Sequence, residues 1–258
     1  MMFGMMRAMR VKKEEIARAR RIAQRYVAQF DAPYESTKAF YRFLKKHACF
    51  KSGTSYLDIG AGFGCVAAHF AKKEPRSRFL GVDYNPACVK IGARAIKKHR
   101  LDNLKLKGGD WFHLPSLMKG VFDGVFNTHT FCVFRDSIDA TDELIKLKPR
   151  WVAFNSLFWD GYTDVFIHTR DSTKPAADVG SPDSDLNIFS LPTLRKHLKN
   201  HGYSRVYAQP FTISIDLPRP ADGRRGTYTV ETEWSKRSQF SGPVYLPWHF
   251  VLAMRTRP

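Results

Sequence analysis

Cysteine is scarce in this chain. Four residues, Cys49, Cys65, Cys88 and Cys132, stand far apart in 258 positions. None forms a CxxC pair and none has a histidine at metal-ligand spacing. The three closely spaced cysteines of an iron–sulfur radical enzyme are absent. No disulfide framework and no metal site are therefore expected, and reduced thiols in a cytoplasmic protein are the plain reading. Long apolar runs are also missing: nothing approaches the roughly 20 residues of a membrane-spanning helix. There is no internal repeat. The first ten residues, Met1 to Arg10, have neither the apolar core nor the small-residue cleavage site of a secretory signal. Acid is scarce among the first thirty residues while arginine is abundant, which keeps an organelle-targeting segment as an alternative. Over the whole chain, 24 Asp and Glu face 42 Lys and Arg, for a net charge of +18. Such a field draws nucleic acid, anionic lipid or acidic substrates at long range and says nothing of fold.

What is present suits a globular enzyme-sized unit. A hydrophobic share of 43% supports a real core. Ile16, Ala19, Ile22, Ala23, Tyr26, Val27 and Phe30 recur at helical spacing over residues 13–30, and Phe40, Phe43 and Leu44 do so over 35–48. These two helices are expected to form an N-terminal cap, residues 1–50, on a main domain, residues 51–258. From Ser55 the pattern alternates. Strands are expected at Ser55–Ile59, Phe79–Val82, Leu104–Lys107, Phe122–Asn127 and Trp151–Asn155, and helices at Cys65–Lys73, Ala87–His99 and Ser137–Lys146. That rhythm predicts an α/β fold with a mostly parallel sheet and helices on both faces. Right-handed crossovers then put the strand carboxyl ends along one edge. After Asn155 the rhythm changes. A helix is expected at Leu191–Asn200 and strands at Ser204–Ile215, Thr227–Trp234 and Tyr245–Met254. Two long inserts, about 159–190 and 217–243, should emerge at the carboxyl edge, where inserts tend to be functional.

The chemistry concentrates where the first strand ends. In Asp58-Ile-Gly60-Ala61-Gly62-Phe-Gly64 the glycines allow a sharp turn and leave space where side chains would project. A ligand can then press against the main chain at a helix N-terminus. Asp58, a carboxylate at the last strand positions, suits a cationic or donor-rich ligand and would repel a pyrophosphate. The GxGxxG dinucleotide pattern fits less well, because the third glycine comes one place early and Cys65 takes its position.

Tyr56 to Gly64 resembles the first motif of the class I S-adenosylmethionine-dependent methyltransferases. Gly81-Val-Asp83-Tyr84-Asn-Pro86 is similar to the acidic loop after their second strand. Gly109-Asp110-Trp111 is similar to their adenine-side motif, Phe122 to Asn127 to their fourth, and Lys148-Pro149 to the entry of their fifth strand. The likeness covers about residues 50–155 in order. It implies a doubly wound, Rossmann-like sheet of seven strands with the N-terminal helices and both inserts over the cofactor edge. It also implies S-adenosylmethionine as cofactor and S-adenosylhomocysteine as product. The residues implied to hold the cofactor are Asp58, Gly60, Ala61, Gly62, Gly64, Asp83, Tyr84, Asp110, Trp111 and Asn127. Asp83 would accept the ribose hydroxyls and Asp110 the adenine amino group, with Trp111 or Phe112 against the ring.

The acceptor is harder to read. Asn127-Thr-His129-Thr-Phe131-Cys132 lacks the Asn/Asp-Pro-Pro-aromatic motif of amino-methyltransferases of DNA bases, and no Pro-Cys pair of the cytosine-C5 kind is present. His129 is the candidate base, against a structural histidine in an apolar segment. Phe131, Trp159 and Tyr162 join it as substrate-contact candidates. Phe166, Tyr228 and Trp234 would help line a roofed pocket, against simple packing of the inserts onto the sheet. A roofed pocket favours methyl transfer to oxygen or nitrogen of a small metabolite or biosynthetic intermediate. The alternatives are an RNA methyltransferase contacting its substrate through Arg224-Arg225, Lys236-Arg237 and the basic N-terminus, and a catalytically silent binding protein of the same fold.

Overall fold

The computed structural model describes residues 23–114, 122–172, 183–221 and 226–255. The expected helix over 13–30 is described only from residue 23, and Arg224-Arg225 lie outside the described residues. The first long helix, α1, is Glu35–Lys46. The alternating core follows as β1 Ser55–Ile59, α2 Cys65–Lys73, β2 Arg78–Asp83, α3 Pro86–Lys98, β3 Leu104–Gly108, β4 Gly124–Thr128, α4 Ser137–Lys146 and β5 Trp151–Trp159. Then come β6 His168–Arg170, β7 Asp183–Asp185, β8 Phe189–Ser190, α5 Leu191–Asn200, β9 Arg205–Pro210, β10 Thr227–Thr232, β11 Ser235–Ser241, β12 Val244–Tyr245 and β13 Trp248–Met254.

The main sheet runs β3-β2-β1-β4-β5-β13-β9, with the short β8 added beside the end of β5. All its pairings are parallel except those of β13, which lies antiparallel between β5 and β9. β13 therefore begins, at Trp248, on the same edge where β5 and β9 end. After β9, β10, β11 and β12 make a separate antiparallel sheet, and after β5, β6 pairs with β7.

Alternation of side chains explains the layers. In β5 and β13, Ala153, Phe250 and Leu252 belong to one core, and Val152, Phe154, Val251 and Ala253 to the other. The first core takes Phe40, Phe43 and Leu44 of α1 and Phe70 of α2, and the second takes Leu144 of α4 and Leu194 and Leu198 of α5. β5 is buried through Phe158, as a strand covered on both faces must be, and so runs past the expected Asn155. Helix starts follow local chemistry. Asn85 caps α3 by accepting from the Ala87 and Cys88 N–H groups ahead of Pro86, and Asp136 caps α4 through Ile138 and Asp139. The apolar side of α1 lies on the sheet face against Phe70 and Phe250, so this helix does not cross the carboxyl edge. Only the segment before it reaches that edge, where Tyr26 stacks on Phe63 at 5.1 Å. No helix among the described residues is long and apolar enough to cross a membrane.

Gly124 opens β4 against the flat face of Trp151, whose indole N–H donates to the Cys49 carbonyl at 3.1 Å. A Cβ there would lie 2.0 Å from Trp151 Cε2, and Phe50 and Tyr56 already pack against that indole. Gly124→Ala is expected to cost about 1–3 kcal/mol through overpacking. Urea unfolding compared with wild type checks this, and an unchanged midpoint would contradict the packing described.

Candidate functional site

The glycine turn is built as its sequence requires. Gly60, Gly62 and Gly64 all have positive φ, at +69°, +54° and +79°. Gly60 and Ala61 donate their N–H groups to the Val82 carbonyl at 2.9 and 3.0 Å, tying the turn to the end of β2. A Cβ on Gly60 would collide with the Thr130 side chain at 2.6 Å, whereas one on Gly62 would meet nothing within 4 Å. Gly62 thus lines open space, and the turn before α2 presents main chain to it.

Two carboxylates flank this turn. Asp58 is 1% exposed, and neither of its oxygens has a hydrogen-bond partner. Burial, and secondarily the charge of Asp83, push its carboxyl well above the ordinary range, against a smaller lowering by the Ala67 N–H, which lies near the carboxyl without meeting hydrogen-bond geometry. Asp83 is held instead: Oδ2 accepts the Gly62 N–H at 2.7 Å and Oδ1 the Asn85 N–H at 2.9 Å. Each oxygen keeps lone-pair capacity for a further donor. Tyr84, next in line, is 80% exposed.

The adenine-side motif divides into one free and one buried ring. Asp110 accepts the Phe112 N–H at 3.0 Å, which orients the turn after β3. Trp111 is buried, packs on Phe134 at 4.8 Å and donates its indole N–H to the Ala140 carbonyl at 2.8 Å. It belongs to the core beneath the edge, because that carbonyl satisfies its one polar atom. Phe112, partly exposed, is the aromatic face left available. Asn127 is likewise corrected. It is wholly buried, with Nδ2 donating to the Ile59 carbonyl at 2.6 Å and Oδ1 accepting the Phe131 N–H at 2.9 Å. Both ends of its amide are engaged, so it ties β1 to the loop after β4 and offers nothing to a ligand.

That loop carries His129 in a left-handed conformation, φ +65°. The residue as a whole is exposed, yet its imidazole is surrounded by protein, and desolvation pushes it down to about 4. It is therefore neutral at physiological pH. Nε2 lies 3.0 Å from Asn155 Nδ2, and the ring meets Trp248 edge-on at 4.8 Å. Buried beside it, Asn155 Oδ1 and Ser156 Oγ have no hydrogen-bond partner. Phe131 is closed inside the second core among Phe154, Phe158 and Phe189 and presents no surface to a substrate. Cys132 is buried with its thiol pushed up to about 11, as expected of a packing residue.

The expected aromatic roof is only partly assembled. Trp159 is partly exposed with its indole N–H bonded to the Thr163 carbonyl within its own turn. Tyr162 is 85% exposed and stands beside Pro192, Arg195, Lys196 and Lys199, and Phe166 also faces solvent. Tyr228 is consumed inside the small sheet, its hydroxyl donating to the Gly242 carbonyl at 2.7 Å. Trp234 alone of the set shares a recess with Trp248, together with Phe211, Gln239 and His249. The buried Gln239 Oε1 there has no partner. The sequence reading missed Asn155, Gln239 and Trp248. Asn155 and Ser156 had a signal, as polar residues inside an otherwise apolar strand; Trp248 had none before β13 was seen to return to this edge.

Residues 50–159 match the family model described as "Methyltransferase domain". Human EEF1A lysine methyltransferase 2 is 32% identical over 45% of this chain and 43% of its own length. A tRNA (guanine-N(7)-)-methyltransferase from Oenococcus oeni is 26% identical over 74% of this chain and 78% of its own. The chain thus spans less than half of the human relative. Among solved structures, the SAH-bound N-terminal domain of EvdMO1 shares the fold, with a TM-score of 0.56 at 16% identity over 86% of this chain and 82% of that one. Residues 50–159 thus carry a methyltransferase domain, in keeping with the likeness of their motifs to the class I S-adenosylmethionine-dependent methyltransferases.

Asp58 yields a pH signature that needs no ligand. Its folded carboxyl is raised, so between the ordinary carboxyl range and the raised value the folded state binds more protons than the unfolded chain. Wild-type stability therefore falls as pH climbs through that window. Asp58→Asn is expected to be more stable than wild type near about pH 8, by about 1–3 kcal/mol, with the difference shrinking toward about pH 4. Urea unfolding at a series of pH values reads this directly, and a variant less stable at the alkaline end contradicts it.

Proposed function

We propose that this chain transfers a methyl group from S-adenosylmethionine to an oxygen or nitrogen of a small-molecule acceptor. One observation carries the cofactor part: a fully buried carboxylate with two unpartnered oxygens, directly behind a glycine turn that borders open space. A buried acid left so is costly unless a cationic donor joins it. The cofactor's ammonium group is such a donor, so the residues present fit this ligand. Asp58 would face the methionine end, Gly60 to Gly64 would leave room for it, and Asp83 would accept the ribose hydroxyls with the lone pairs its backbone partners leave free. Asp110 and Phe112 would take the adenine.

When bound, this cofactor supplies a methyl carbon already activated on a sulfonium. The protein's work is then to align the nucleophile and exclude water. His129 stands at the end of β4 on the same edge, next to the recess walled by Trp248, Trp234 and Gln239. In the amide orientation where Asn155 Oδ1 accepts from Nε2–H, the His129 Nδ1 lone pair is free to take a proton from the acceptor. Trp248 and Trp234 would hold an apolar or flat acceptor, and the Gln239 carbonyl would accept a hydrogen bond from it.

A second reading has its own support. The net charge of +18, the basic cluster of Arg195, Lys196 and Lys199 beside the exposed Tyr162, and the long match to a tRNA methyltransferase favour an RNA acceptor. Binding of bulk tRNA across a salt series, scored together with methyl incorporation, separates the two. Steep salt dependence with RNA methylation would replace the small-molecule reading.

Two variants test the roles. Asp83→Ala is expected to weaken adenosylhomocysteine binding by about 1.5–3 kcal/mol, the scale of hydrogen bonds to a charged group. Calorimetry that finds wild-type affinity would overturn the ribose assignment. His129→Ala is expected to lower kcat about 10²-fold or more while leaving adenosylhomocysteine affinity unchanged. An unchanged kcat on the identified acceptor would leave His129 a structural residue only.

A further inference from the structure

Away from the glycine turn, α4 and α5 bring three metal-ligating side chains together. Asp142 of α4 and His197 and His201 at the end of α5 each offer a donor atom, and these atoms lie within 4.8 Å of one another. The spacing His197-Leu-Lys-Asn-His201 is i, i+4, which stacks two imidazoles on one helix face. Their ring centroids are 4.4 Å apart. His197 Nε2 lies 2.6 Å from Asp142 Oδ1. His201 Nδ1 lies 3.0 Å from the His197 carbonyl oxygen. Donating Nδ1–H to a backbone carbonyl is the arrangement that fixes a ligand histidine's tautomer and leaves the Nε2 lone pair outward. The His201 N–H also bonds the His197 and Leu198 carbonyls, so the last turn holds both rings in place.

We propose that Asp142, His197 and His201 bind a divalent transition-metal ion of the zinc class, with water completing its shell. A simple His–Asp ion pair would account for His197 and Asp142. The His201 bond to the His197 carbonyl also caps the helix end; here it holds the ring against the His197 imidazole, with its donor atom within 4.8 Å of the other two. Two imidazoles and one carboxylate form a donor set that suits zinc and its neighbours, whereas magnesium and calcium prefer oxygen alone. The ion would replace the direct bond between His197 and Asp142. His197 Nε2 and Asp142 Oδ1 need open only from 2.6 Å to the separation of about 3.4 Å that tetrahedral bonds of about 2.1 Å imply. The side chains of His197 and Asp142 are 17% and 37% exposed and His201 is exposed, so ion and water can enter. The ion would clamp α4 to α5. α4 also supplies the Ala140 carbonyl that holds Trp111, next to Asp110, so the clamp would steady the floor of the adenine side.

The test is calorimetric titration of the metal-free full chain with Zn²⁺, with thermal unfolding followed in the same solutions. One saturable site of micromolar or better affinity and a raised midpoint are expected. His201→Ala, an exposed position at a helix end, should weaken Zn²⁺ binding roughly tenfold or more and abolish the Zn²⁺-induced rise over that variant's own metal-free midpoint. Co²⁺ substitution should give the d–d absorption of a four-coordinate N/O site in wild type and lose it in Asp142→Asn. Absence of saturable binding, or wild-type affinity in His201→Ala, would overturn the proposal. None of these readouts depends on methyl transfer.

Discussion

A single buried carboxylate organises this protein. Asp58 lies one residue before the end of β1 with neither oxygen hydrogen-bonded, in a place where burial and the neighbouring Asp83 both disfavour its charge. Such a group is a standing cost to the fold. Its neighbours show why the cost is concentrated there. The turn that follows has three positive-φ glycines and opens on free space at Gly62, so the main chain and the acid face the same opening. In the function proposed above, the destabilising feature is also the binding feature, as is common where a site is held ready for a ligand.

The rest of the edge is braced around that turn. Asn127 bonds the end of β1 to the loop after β4, Thr130 Oγ1 donates to the Gly60 carbonyl at 3.3 Å, and the Thr130 side chain leaves no room for anything larger than glycine there. Asp83 Oδ2 takes the Gly62 N–H from the other side. Ends of β1, β2 and β4 are thereby fixed to each other by side-chain amides, a hydroxyl and a carboxylate. His129 inherits its position from this bracing and from Asn155 and Trp248. Preorganisation of this sort lets a site spend binding energy on alignment instead of on folding its own loops.

Much of this was legible in the sequence, and the reasons are physical. The strands and helices of residues 55–159 read as short apolar runs alternating with helical patterns, with caps at Asn85 and Asp136, so their order and the edge holding the strand carboxyl ends could be read directly. The glycine turn was readable because glycines at that spacing after a strand suit positive φ, which Gly60, Gly62 and Gly64 all have. Trp111, Asn127 and Phe131 misled because a motif gives neighbours along the chain, not which side of the sheet edge a side chain enters. All three turn inward, where the Ala140 carbonyl, the Ile59 carbonyl and a cluster of phenylalanines satisfy them. Trp248 and Gln239 were invisible because they reach the site only through the return of β13 and the small sheet after β9. The same blindness hid Asp142, His197 and His201, since 55 positions separate the carboxylate from the first imidazole.

The central claim is that Asp58 waits for a cationic group of an adenosylmethionine-type ligand. Its most direct test is calorimetric titration of adenosylhomocysteine into the wild-type chain, in two buffers of different ionisation enthalpy at a pH below the raised Asp58 value. Saturable one-to-one binding with proton release to the buffer is predicted, because the ligand's ammonium group draws Asp58 into its charged form. No binding, or binding with no proton released, would contradict the account.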